Sequence, residues 1–136
     1  MKCDIIFWDA TIIEGSGAPG FAADLAVAGD EIVALGAGLD VEAAERVAAS
    51  GLVLAPGFVD VHTHDDAALL DGPEMVAKVS QGVTTVVVGN CGISLAPEPL
   101  AGRAAPTPPL DLLGGAEAFR FARFADYRRA LESAPP

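Results

Sequence analysis

Residues 83–88, Val-Thr-Thr-Val-Val-Val, form an unbroken β-branched run. Two heavy atoms on each Cβ favour a strand there over a helix. Continuous runs of this kind suit strands buried on both faces, as parallel strands are. Ahead of the run, Met75, Val76 and Val79 recur at helical spacing and predict a helix over Glu74–Gln81. Pro73 stands where a first helical turn tolerates proline, and Gly82 is a stop. Further back, the stretch from Pro56 to Asp66 reads as a strand running into a polar turn at Asp65-Asp66. Strand, helix, strand over 56–88 is a βαβ unit, with parallel strands and a right-handed crossover.

The chain before this unit has a different rhythm. Residues 3–13 read as a strand, followed by a glycine-rich loop from Gly15 to Gly20. Asp24–Ala28 and Glu31–Leu35 flank Gly29-Asp30, a two-residue connection that predicts a hairpin. Asp40–Ala49 reads as a short helix or an acidic loop, and Leu52–Leu54 as a further strand. Residues 1–55 are therefore expected to form a small antiparallel β module, with 56–136 as a separate α/β region. Beyond the β-branched run, Ala96–Pro109 is a proline-rich irregular loop. A last helix is expected from about Phe124 to Ser133, with Phe124, Tyr127 and Leu131 along one side and Pro135-Pro136 as its stop.

Both histidines of the chain, His62 and His64, lie two residues apart. On an extended strand they share a face with Asp60, which makes a half-site for a zinc-like ion. Zinc takes three or four ligands, and Cys91 is a candidate for another. It follows Val83–Val88 at the carboxyl end of a parallel strand, where βα architectures gather functional groups. A small buried hydrophobe is the alternative reading of Cys91. Cys3 reads as structural. Asp60 reads either as a residue that orients the histidines or as an ordinary strand residue. Asp65 and Asp66 read as solvated turn residues, alternatively as groups that orient the histidines or polarise a water, and Lys78 as a solvent-facing helix residue. Phe119, Phe121, Phe124 and Tyr127 read as packing, the first two alternatively as the lining of a substrate pocket.

Composition removes other function classes. With 51% hydrophobic and 20% charged residues the chain is globular, and 136 residues suffice for a buried core. A formal charge of −11 argues against nucleic acid and against anionic membrane surfaces. Val79–Pro97 is uncharged and close to a membrane span in length, but its Ser, Gln, Thr, Asn and Gly residues fit a buried strand and its loop. Asp4 and Asp9 interrupt the apolar N-terminus, so no export signal is expected. Two cysteines are too few for a disulfide framework, which makes a cytoplasmic protein the default.

Leu54-Ala55-Pro56-Gly57-Phe58-Val59-Asp60-Val61-His62-Thr63-His64 resembles the first barrel strand of the amidohydrolase superfamily. Asp65-Asp66, Ser80–Thr85 and Gly89-Asn90-Cys91-Gly92-Ile93-Ser94 narrow the resemblance to the N-acyl-D-amino-acid deacylase branch. The resemblance implies part of a β-sandwich in 1–55 and the first βαβ unit of a metal-bearing (β/α)8 TIM-type barrel in 56–136, ending before the third strand. It implies zinc held by His62, His64 and Cys91, the cysteine replacing a modified lysine used elsewhere in the superfamily. The reaction implied is zinc-dependent hydrolysis of the amide bond of a small N-acyl-D-amino acid, with no nucleic-acid or membrane partner. Ala48 departs from the pattern, standing where relatives often carry an acidic residue.

The family's remaining ligands are two later histidines, and its catalytic aspartate comes later still. This sequence has no third histidine. The expectation is an N-terminal part of a longer enzyme, catalytically incomplete alone, with no general base assigned in 1–136. A hydantoinase-like cyclic amidase is a rival that the Gly89–Gly92 stretch speaks against. A non-enzymatic remnant, or a β module with a partner role, is the other.

Overall fold

The longest element is β1, Lys2–Ile12, in a computed structural model that describes residues 1–97, 100 and 105–133. The chain divides into two compact units, Met1–Pro56 and Gly57–Pro136. In the first, β1 pairs antiparallel with β2 (Phe21–Ala28), which pairs antiparallel with β3 (Glu31–Gly36). Gly29 makes the β2–β3 turn at φ +59°, and its N–H is accepted by the Asp4 carboxylate at 2.7 Å.

The other edge of β1 corrects the antiparallel expectation. There β4 (Glu42–Ala48) runs parallel from Lys2/Glu42 to Trp8/Ala48, and β5 (Val53–Leu54) runs parallel at Thr11 and Ile12. The sheet is mixed, in the order β3-β2-β1-β4, and the segment read as helix or acidic loop is a strand. A long strand leaves a full row of backbone N–H and C=O groups that need partners, and Glu42–Ala48 supplies them. Its acidic side chains are exposed, which blurs the alternating pattern that marks a half-buried strand. To reach that edge the chain crosses between β3 and β4, packing Leu39 and Val41 against buried Cys3, Ile6 and Ala26. A second cluster of Ala10, Ile12, Ala23, Leu25 and Ala49 lies on the opposite face, since neighbours Leu25 and Ala26 must point apart.

In the second unit β6 (Phe58–Asp60) pairs parallel with β7 (Val83–Val86), as the βαβ reading expects. Between them lie two single turns, α1 (Ala68–Asp71) and α2 (Val76–Val79). The expected helix over Glu74–Gln81 is shorter because Met75 sits in the left-handed region at φ +44°, so Pro73 and Glu74 form a turn ahead of it. The expected burial of the β-branched run is also corrected. Thr84 and Thr85 are exposed, and on β6 Phe58 is 68% and Val59 54% exposed. Among the described residues only these two strands form the sheet, and α2 packs against β7.

The core of this unit lies beyond the strands, in Ile93, Leu95, Ala96, Leu100, Leu113, Phe119, Phe121 and Tyr127. Helix α3 (Phe124–Ser133) buries Tyr127, half-buries Leu131 and leaves Phe124 exposed. Phe119 and Phe121 therefore fill the core instead of lining a pocket. Residues 98–99 and 101–104 of the expected Ala96–Pro109 loop, and the Pro135-Pro136 stop, lie outside the described residues. No helix among the described residues is long and apolar enough to cross a membrane.

Candidate metal centre

His62 and His64 follow β6 instead of lying within it, which corrects the reading of 56–66 as one strand. Their segment is still held by ladder-like bonds to the chain after β7. Val87 N–H donates to the Asp60 carbonyl at 2.8 Å, and Thr63 N–H to the Val87 carbonyl at 3.2 Å. The two imidazole rings lie 5.6 Å apart, nearly perpendicular. Cys91 enters from the short helical turn Asn90–Gly92 and holds φ +59°, a left-handed conformation uncommon for a residue with a side chain. Its Sγ lies 3.2 Å from His62 Nε2. One ligand atom from each of His62, His64 and Cys91 falls within 4.8 Å of the others.

Two features of this donor set suit a tetrahedral soft-to-borderline cation, within an overall spread of up to 4.8 Å that is wider than a closed zinc site. Zn–N near 2.0 Å and Zn–S near 2.3 Å put ligand atoms about 3.3–3.6 Å apart, close to the Sγ–Nε2 separation. His64 Nδ1 is buried with no hydrogen-bond partner among the described residues. A buried polar atom left unpaired costs about 1–3 kcal/mol, so an unpaired nitrogen here calls for a partner.

A second set of charges braces the histidine segment from the α2 side. Lys78 Nζ donates to Asp60 Oδ2 at 2.7 Å and pairs with Asp65 Oδ2 at 3.0 Å. Asp60 Oδ1 in turn accepts the His62 N–H at 3.3 Å, and the Thr63 hydroxyl donates to Asp65 Oδ2. The Lys78 ammonium, followed by the His62 N–H, holds the Asp60 carboxyl below the usual carboxylate range. Hydrogen bonds to Asp60 and then to Asp65 raise Lys78 in the same way. Behind the segment, the Tyr127 hydroxyl donates to the Asp66 carbonyl at 2.9 Å, tying α3 to it. Burial, with a smaller contribution from the Asp66 charge, pushes that phenol up to about 12.

The structure thus brings together His62, His64 and Cys91 and leaves Cys3 buried in the first unit. Two expectations are overturned. Lys78 faces two carboxylates instead of solvent, and a signal for this exists in the sequence: it is the only Lys or Arg between Gly57 and Gly102, in a stretch that carries Asp60, Asp65, Asp66, Asp71, Glu74 and Glu98. Asp66 is fully buried, with neither carboxylate oxygen bonded among the described residues. It is covered because Ala67 and Leu70 pack down onto the core cluster that contains Tyr127. Asp65 is half-buried and pairs with Lys78 and Thr63.

Residues 45–136 match the model of the amidohydrolase family. The chain is 56% identical over 134 residues to the N-acyl-D-aspartate deacylase of Alcaligenes xylosoxydans xylosoxydans, covering 98% of this chain and 26% of that protein. A crystal structure of D-aminoacylase superposes with a TM-score of 0.90 at 52% identity, over 98% of this chain and 28% of the other. The N-acyl-D-glutamate deacylase from Bordetella bronchiseptica, solved with zinc and a phosphonate mimic of the tetrahedral intermediate, superposes with a TM-score of 0.88 at 45% identity. That match covers 100% of this chain and 28% of that one, so the chain spans about a quarter of the length of the relatives it matches. With a family model matched from residue 45 to residue 136, this chain belongs to the amidohydrolase family.

Proposed function

We propose that this chain supplies part of the metal centre of a zinc-dependent hydrolase that cleaves the amide bond of N-acyl-D-amino acids. The observation that carries the reading is the convergence of His62, His64 and Cys91 within 4.8 Å. Similarity to N-acyl-D-aspartate and N-acyl-D-glutamate deacylases supports the substrate class. On this reading Met1–Pro56 contributes to a β-sandwich, and β6–β7 open a (β/α)8 barrel whose other strands cover the exposed faces of Phe58 and Val59. Both cysteines are free thiols, which suits a reducing, cytoplasmic setting.

His62, His64 and Cys91 would hold the zinc, the cysteine as thiolate. Bound zinc supplies Lewis acidity, lowering the pKa of a coordinated water toward 7 and polarising the acyl carbonyl. The chain's other residues hold this donor set still. Asp60 fixes the His62 backbone, Lys78 ties Asp60 to Asp65, and Tyr127 anchors the Asp66 carbonyl. Both histidines of the chain are already in the cluster, so further imidazole ligands come from outside these 136 residues. The proton-transfer group for the leaving amine is assigned outside them as well.

Titrating the metal-free protein with zinc against a chromophoric chelator tests the reading. One ion per chain is expected. Cys91→Ser and His64→Ala should each weaken it more than ~100-fold, beyond the range typical of outer partners. Equal affinity in wild type and Cys91→Ser removes the thiol from the site. Turnover of an N-acetyl-D-amino acid by the 136-residue chain alone, at kcat on the order of 1 s⁻¹ or more, would overturn the assignment of missing groups to residues outside it.

A further inference from the structure

We infer that Asn90 is a positioning residue that sets the distance between the Cys91 thiol and the two imidazoles; this rests on the metal-centre reading above. The sequence analysis used Asn90 only as part of a motif, and the ligand set gives it no task. In the structure its side-chain amide donates to the Val87 carbonyl at 2.6 Å and to the Thr63 carbonyl at 3.4 Å. Thr63 is the residue between His62 and His64, and Asn90 directly precedes Cys91. One amide nitrogen therefore joins the histidine segment to the cysteine turn.

The backbone there explains why a side chain must do this. Gly89, Cys91 and Gly92 hold φ values of +80°, +59° and +71°. Three left-handed residues among four turn the chain sharply, and the parallel ladder ends where they begin. The last ladder-like bond is Thr63 N–H to the Val87 carbonyl. Beyond it no backbone bond among the described residues joins the two segments. The Asn90 amide accepts that role with two N–H groups on a single nitrogen. Aspartate has the same length and no donor, and serine has one donor on a shorter stem. Without the clip, Cys91 keeps its thiol and its strained turn but loses the bond that fixes both relative to Thr63.

Cobalt titration of the metal-free protein tests this without any turnover, because thiolate–cobalt charge transfer reports the sulfur bond directly. Five versions of the 136-residue chain are compared, each with its thermal midpoint: wild type, Cys91→Ser, Asn90→Asp, Asn90→Ser and the double variant Cys91→Ser/Asn90→Asp. Both Asn90 variants should bind cobalt ~10-fold or more weakly, the range for residues that orient ligands. Their charge-transfer band should be reduced toward that of Cys91→Ser although the thiol is present. In the Cys91→Ser background, Asn90→Asp should change cobalt affinity by less than about 2-fold, since the two act through one bond. A wild-type band and affinity in whichever Asn90 variant melts near wild type overturns the inference. So does an undiminished Asn90 effect in the Cys91→Ser background, which would make the amide a general brace of the fold. Wild-type cobalt binding by Cys91→Ser overturns the ligand reading itself, and the inference with it.

Discussion

In Met1–Pro56, Asp4 accepts the Gly29 N–H at the β2–β3 turn, and Asp24 accepts the N–H groups of Asp9 and Leu39 at 2.8 and 3.0 Å. In Gly57–Pro136, Asp60 and Asp65 close on Lys78, and the buried Asp66 carboxylate meets no donor among the described residues. The first unit rests on an 11-residue strand with partners on both edges, and the second on strands of 3 and 4 residues. Where a long ladder holds the backbone, carboxylates need only close turns and bulges. Where the ladder is short, side chains must hold an irregular segment in place. Polar atoms there stay without a hydrogen-bond partner among the described residues, as Nδ1 of the candidate ligand His64 does. The irregular unit is the one suited to binding something else.

The sharpest way to break this comparison is at the start of the short ladder. A Cβ built on Gly57 would overlap Thr84 Oγ1 and Cγ2 and lie 2.8 Å from Thr84 Cβ. Gly57→Ala is expected to cost about 2–3 kcal/mol through overpacking. A Thr84→Ala background should recover part of that, since the two closest contacts vanish and the third remains. In the first unit, Gly29 has nothing within 4 Å of its added Cβ. Gly29→Ala should therefore cost only the ~1 kcal/mol of a left-handed residue. Denaturant midpoints measure both. Equal losses at the two sites would show the units to be equally tolerant and remove the contrast.

How much of this was legible in the sequence follows the same division. The β2–β3 hairpin was readable because Gly29-Asp30 is a local signal, and the parallel pairing of β6 with β7 because a β-branched run followed a helical pattern. The strand β4 was hidden, since its reason is the free edge of β1, far away in sequence. The grouping of His62 with His64 was accessible from spacing, while chain order made Cys91 only a candidate that the family resemblance added to them. The break after Asp60 that takes the histidines out of the strand was not legible. Lys78 was missed because helical spacing alone points it outward. Its true partners come from the segment after β6, and only its isolation as a cation among acidic residues hinted at them. Asp66 was missed for a related reason: an Asp-Asp pair reads as solvated until α3 is known to pack over it through Tyr127.

Lys78 gives the next prediction. Lys78→Met leaves Asp60 and Asp65 without their shared cation and frees the carboxylate that holds the His62 backbone. Zinc affinity is expected to fall ~10-fold, with a smaller loss for Lys78→Arg, which keeps the charge in a different shape. The wild-type advantage should shrink as salt rises, because the group is only partly shielded from solvent. Unchanged zinc affinity in Lys78→Met would reduce the network to an ordinary surface pair of little consequence. The second unit would then need another explanation for how its irregular segment is held.

The mildest effect is expected at Asp24, where the first unit relies on a carboxylate most. Its hydrogen bonds from the Asp9 N–H and then the Leu39 N–H hold the carboxyl below its ordinary range. The folded protein thus resists protonating Asp24 more than the unfolded chain does. Its contribution is therefore full above the unfolded pKa of about 3.9 and is lost as pH falls through the lower folded value. Asp24→Ala should destabilise the chain by about 1 kcal/mol at neutral pH, the low end for bonds to a charged group because the site is partly exposed. Asp24→Asn should fall between, keeping an acceptor oxygen and losing the charge. The gap between wild type and Asp24→Ala should narrow as unfolding is measured at successively lower pH below 4. A gap that stays constant would assign the loss to packing around the crossover at Leu39, and would remove the carboxylate-to-backbone bonds as the feature that sets this unit apart.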